Sequence, residues 1–128
     1  MTQVAITTAG YLHGELPAAH ISLDLRRHFR DPHINPALRY LTGRDQEVYD
    51  TVLSTPGIDA LIDATVAQVE AYLAGPSAEG RPVEVVVACA GGRHRAAVVG
   101  AELDRRLRAR GVEVELVHRD LDKDVVAR

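Results

Sequence analysis

The stretch that most constrains this chain is Val83–Arg95, which reads Val-Glu-Val-Val-Val-Ala-Cys-Ala-Gly-Gly-Arg-His-Arg. Four apolar residues in succession, Val85 to Ala88, predict a strand buried on both faces, as in the middle of a parallel sheet. Two glycines then turn the chain into a helical pattern from about His94 to Arg110. Its apolar stripe is Ala96, Val99, Gly100, Leu103 and Leu107, and Gly111 stands where a helix ends. Val112 to Val117 alternates and predicts the next strand. A strand, helix and strand in that order form a right-handed crossover between parallel strands. His118-Arg119-Asp120 is therefore expected at the same sheet end as Cys89 to Arg95.

That placement carries chemistry. The first N–H groups of a helix have no partner within it, and they gather the positive end of its dipole. Glycines before the helix let the main chain approach a guest without a Cβ in the way. With Arg93, His94 and Arg95 beside it, the natural guest is an anion, and a phosphate above all. Arg clamps phosphate oxygens in a two-toothed fork, and His donates or accepts near neutral pH.

The rest of the chain supplies a second wall. Val4 to Thr7 predicts a first strand, followed by the loop Thr8–Gly14, in which Thr8, Tyr11 and His13 are candidate ligand groups. His20 to Leu25 predicts strand two, with Asp24 at its end and the basic run Arg26 to His33 after it. Pro32 and Pro36 break that run. Asp45 is the expected cap of a helix reaching Ser54. Thr55-Pro56 starts another. Ile58, Leu61, Ile62, Thr65, Val66, Val69, Tyr72 and Leu73 follow one helix face and predict core. Gly75-Pro76 ends that helix. The fold expected is a small α/β domain with a mostly parallel four-stranded sheet and flanking helices.

Composition narrows the function classes. A chain of 128 residues suits one domain, and at 46% hydrophobic with 4% aromatic its core must be aliphatic. A net charge of −3 gives no global attraction for nucleic acid. The single Cys89 excludes an internal disulfide and a cysteine-based zinc site, so no metal is expected. No apolar run reaches the roughly 20 residues that span a bilayer, and no leader pattern opens the chain, so the cytoplasm is expected.

The candidate ligand-binding residues are thus Gly91, Gly92, Arg93, His94, Arg95, His118, Arg119, Asp24, Arg26, Thr8 and His13. On this reading Arg95→Ala abolishes ligand binding and leaves the fold intact. The opposing reading makes Arg95 and Arg119 the partners of Asp24 and Asp120 in a structural network. A third reading uses the Cys89-x5-Arg95 spacing, which resembles the phosphate loop of the cysteine-dependent phosphatases. There a thiolate attacks phosphorus while the Arg clamps its oxygens. Ala88 and Ala96 depart from that motif, standing for its His before the Cys and its Ser or Thr after the Arg. Asp24, Asp31 and Asp120 are nominal general acids.

A closer resemblance runs along nearly the whole chain. Cys89 to Arg95, then Arg-Gly-Val-Glu-Val from Arg110 and His118 to Leu121, resemble the C-terminal domain of the RNase adapter protein RapZ. Asp24-Leu25-Arg26, Asp31-Pro32-His33, Pro36-Ala37-Leu38-Arg39 and Thr42-Gly43-Arg44-Asp45 follow its order, as does the loop Thr7–Gly14. The resemblance implies a fold like part of phosphofructokinase, RNA binding, and sensing of glucosamine 6-phosphate in a pocket around Gly91, Gly92, His94 and Arg95. It also implies self-association. No Walker-type loop is present, so no nucleotide cofactor carries over. The adapter's basic tail is not reproduced either: Arg119, Lys123 and Arg128 face Asp120, Asp122 and Asp124. The expected function is a non-catalytic regulatory module for a phosphorylated small molecule, with an amino-sugar phosphate foremost and RNA as the alternative partner.

Overall fold

The computed structural model describes residues 1–127. Arg128, counted above in the charge of the tail, lies outside them. Four strands form one sheet, β1 (Val4–Gly10), β2 (Ile21–Asp24), β3 (Val83–Cys89) and β4 (Val114–His118), in the order β2-β3-β1-β4. Every neighbouring pair is parallel, so all four strands end along one edge. Three helices, α1 (Gln46–Leu53), α2 (Ile58–Leu73) and α3 (Arg95–Ala109), complete the fold.

The core follows from the alternation of the strands. Val4 and Ile6 of β1, Val83, Val85 and Val87 of β3, and Val114 of β4 meet Ile62, Val66 and Val69 of α2 and Val99, Leu103 and Leu107 of α3. The predicted stripe of α3 is buried throughout. That of α2 is buried at Ile58, Ile62, Thr65, Val66 and Val69, whereas Tyr72 is exposed. Val86 and Ala88 are buried on the second face as well, in keeping with the interior position of β3.

Three expectations change. β1 continues through Thr8, Ala9 and Gly10, because β3 supplies ladder partners as far as Cys89. Thr8 is therefore a buried strand residue and not part of a loop. α2 starts after Gly57, which takes φ 92°, a conformation natural to glycine, and not at Thr55-Pro56. β1 also lies between β3 and β4, so the clusters at their ends sit two strand spacings apart, about 9–10 Å.

Candidate functional site

β3 ends at Cys89 and α3 opens at Arg95, with residues 90–94 as the turn between them. Gly92 makes this turn with φ 79°. The turn also sits down on the end of β1. A Cβ on Gly10 would fall 2.3 Å from the carbonyl carbon of Gly91, and one on Gly92 would fall 2.9 Å from the amide nitrogen of Gly10. Two bare backbones are what allow this approach. Gly91 differs, because a Cβ there would meet nothing within 4 Å. Cys89 Sγ is buried under the turn and accepts N–H groups from Gly92 at 3.3 Å and Ala96 at 3.4 Å.

Asp120 fastens the turn from the β4 side. Its buried carboxylate accepts the Gly10 N–H at 2.8 Å and pairs with Arg119 at 2.8 Å and Lys123 at 2.6 Å. Burial alone would raise its pKa, but these donors outweigh it and hold the group at about 2.

A narrow slot opens beside the turn. Its walls are Cys89, Gly91, Arg93, His94 and Arg95 from the turn, Asp31 and His33 from the segment after β2, and Val125 and Val126 from the chain beyond β4. Its free space is about 10 Å³, room for a single water. The two guanidinium groups in the walls are held from outside it. Arg95, only 2% exposed, donates from Nη1 to the carbonyls of Leu25 and Arg26, both at 2.9 Å, and of Phe29 at 3.3 Å. Its Nη2 lies 3.3 Å from Asp31. Arg93 donates to the carbonyls of Lys123 at 2.7 Å and Tyr40 at 2.9 Å. The Nε of Arg93 and the Nε of Arg95 are both buried with no hydrogen-bond acceptor among the described residues. His94 Nε2 sits 2.8 Å from the carbonyl of Leu41, which fixes it as the donor nitrogen.

The other candidates lie outside the walls of the slot. His118 Nδ1 contacts Thr8 Oγ1 at 2.7 Å, and Thr8 packs against α3 at Gly100, where a Cβ would fall 2.3 Å from Thr8 Cγ2. Burial, then the charge of Arg44, keeps the His118 pKa below the ordinary value. Arg119 reaches the carbonyls of Glu15 at 2.6 Å and Gly10 at 3.3 Å. Asp24 pairs with Arg26 at 2.8 Å, and this hydrogen-bonded pair holds the Asp24 pKa at about 2. The Arg26 guanidinium lies 3.5 Å from the centre of the Tyr11 ring. His13 belongs to a short 3-10 turn, where its Nε2 is buried without a partner among the described residues.

The turn thus brings Gly91, Arg93, His94 and Arg95 together and places Gly92 beneath them. His118, Arg119, Thr8, His13, Asp24 and Arg26 do not line that hollow: β1 stands between β4 and the turn, and on the β2 side the Asp24 and Arg26 side chains pair with each other. The network expected of Arg119 and Asp120 is present, whereas Arg95 takes Asp31 and not Asp24. The 125–126 segment is a wall that sequence reasoning did not name, and Asp31 was named only as a nominal general acid. Asp31-Pro32-His33 stood inside the basic run, but nothing in its spacing tied it to the glycine turn. Among the described residues, no group of three His, Cys, Asp or Glu side chains could hold a metal ion, and no helix is long and apolar enough to cross a membrane.

A nucleotide-binding protein of Thermobifida fusca is 37% identical over 120 residues, which is 93% of this chain and 40% of that protein. Relatives described in the same words from Corynebacterium jeikeium and Streptomyces coelicolor are 38% and 35% identical, over 94% and 95% of this chain. The chain spans about two fifths of the length of these curated relatives. The model of the RapZ C-terminal domain matches residues 2–122, which takes in all four strands, the glycine turn and Asp120, and the chain belongs to the RapZ C-terminal domain family.

Proposed function

We propose that this chain is a cytoplasmic regulatory module that holds a phosphorylated small molecule, an amino-sugar phosphate by preference, without transforming it. The observation that carries the reading is the pair of buried guanidinium Nε–H groups of Arg93 and Arg95, both lacking an acceptor among the described residues, in the walls of a slot at the start of α3. A buried donor without an acceptor costs about 1–3 kcal/mol, and a charged one more. A phosphate oxygen would relieve both. His94 and the open Cα of Gly91 complete the cradle.

The experiment is a thermal-shift series with inorganic phosphate, glucosamine 6-phosphate and unphosphorylated glucosamine. The phosphorylated probes are expected to stabilise, by about 2.7 kcal/mol at one hundred times Kd. An equal response to glucosamine and its 6-phosphate overturns the reading. So does silence toward both phosphorylated probes from the chain and from its Val125→Ser/Val126→Ser variant. The RNA alternative loses support at the arginine-rich end of α3. Arg105, Arg106, Arg108 and Arg110 are each ion-paired, with Glu102, Asp59 and Asp63, Asp104, and Glu70. Phosphate-backbone binding needs accumulated positive charge.

The two amides aimed at Cys89 Sγ favour a second reading, a thiol phosphatase. Against it, the terminal nitrogens of Arg95 are already engaged by carbonyls and Asp31. A phosphatase assay comparing the chain with Cys89→Ser decides: equal background rates end this second reading.

A further inference from the structure

The chain beyond β4 returns across the site. After Asp120 it runs over the glycine turn, where the Lys123 carbonyl accepts Arg93 Nη1 at 2.7 Å and Val125 and Val126 form one wall of the slot. These two valines are half-buried there. The match to the family domain stops at residue 122, so the covering segment lies beyond the matched part. Next to the slot lies a second cavity of about 520 Å³, lined by His33, Ile34, Arg39, Tyr40, Val125 and Ala127. His33 and Val125 belong to both walls. The slot alone admits one water, whereas small-molecule sites occupy about 300–1,000 Å³.

We propose that residues 123–127 form an internal strap that closes the anion slot and must lift for a ligand to enter. This rests on the slot being the phosphate site. Lifting the strap removes the partition at Val125 and joins the slot to the neighbouring cavity. The merged space has a charged end at Arg93, His94 and Arg95 and a mixed end at Ile34, Arg39 and Tyr40. Among the described residues the strap is held by its two valines, the Arg93 bond, the Lys123 pair with Asp120 and the Lys123 N–H donated to the Asp120 carbonyl at 3.1 Å. A closed state favoured ten to one over an open one weakens apparent affinity about tenfold.

The test is calorimetric titration of inorganic phosphate into the full chain and into its Val125→Ser/Val126→Ser variant, which loses the apolar seal but keeps Lys123. The variant is expected to bind phosphate about tenfold more tightly. A second measurement needs no variant: phosphate should speed tryptic cleavage after Lys123, followed by mass, because an occupied slot holds the strap open. Equal affinity together with unchanged cleavage overturns the strap and leaves the phosphate site standing. Absence of phosphate binding in both proteins overturns the site itself, and the strap with it.

Discussion

Replacing Arg95 with Met removes a guanidinium and keeps most of the volume of its stem. Three main-chain carbonyls, those of Leu25, Arg26 and Phe29, lose their donor, and Asp31 loses its 3.3 Å pair with Arg95. Hydrogen bonds to a charged group contribute about 1.5–3 kcal/mol each, but they share one side chain and do not add. Removing one partner of a buried ion pair costs about 3–5 kcal/mol, and that range is the expected destabilisation. Domains of this size carry roughly 0.05–0.15 kcal/mol per residue in total, so the loss is a large share. It corresponds to a Tm lower by about 12–20 °C. Urea unfolding followed by far-ultraviolet circular dichroism measures it, with the slope m as the check that the same surface is exposed. A loss under about 1 kcal/mol at unchanged m would refute the argument. It would mean that the segment after β2 holds its course without the clamp. Of the sequence expectation that Arg95→Ala disables binding and spares the fold, these contacts argue against the second half. Arg95 anchors the wall of the slot before it meets any guest.

Two glycines separate packing from binding. Gly10→Ala drives a methyl into the backbone of Gly91 and should cost about 1–3 kcal/mol or more in urea unfolding. Gly91→Ala meets open space and should leave stability within about 0.5 kcal/mol while abolishing the phosphate response; wild-type binding by this variant would remove Gly91 from the cradle. Asp120 contributes to the acid limb. Its folded pKa of about 2 lies below the unfolded value of 3.8, so its contribution is whole above pH 3.8 and is lost as pH falls toward 2. The displacement is worth about 2 kcal/mol. Asp120→Asn should flatten the stability profile between those two pH values, and an unchanged slope there would assign the acid loss to other carboxylates.

Period and punctuation alone determined much of this protein. The apolar run of β3, the glycine turn, the stripe of α3 and the glycine after it are local patterns, and local hydrogen bonding and side-chain periodicity act over such short spans. The parallel sheet followed as well, because the handedness of a β-α-β crossover leaves β3 and β4 pointing the same way. Strand order did not follow. Only long-range pairing put β1 between β3 and β4, and with it His118 at the end of one neighbour of β1 and the glycine turn at the end of the other. The partners of Arg95 were equally out of reach, because three of them are main-chain carbonyls that any sequence would carry. So was the slot itself, whose walls join residues 31–33, 89–95 and 125–126. Local chemistry marks which residues favour an anion. Packing between segments distant in the chain decides which of them face the same space.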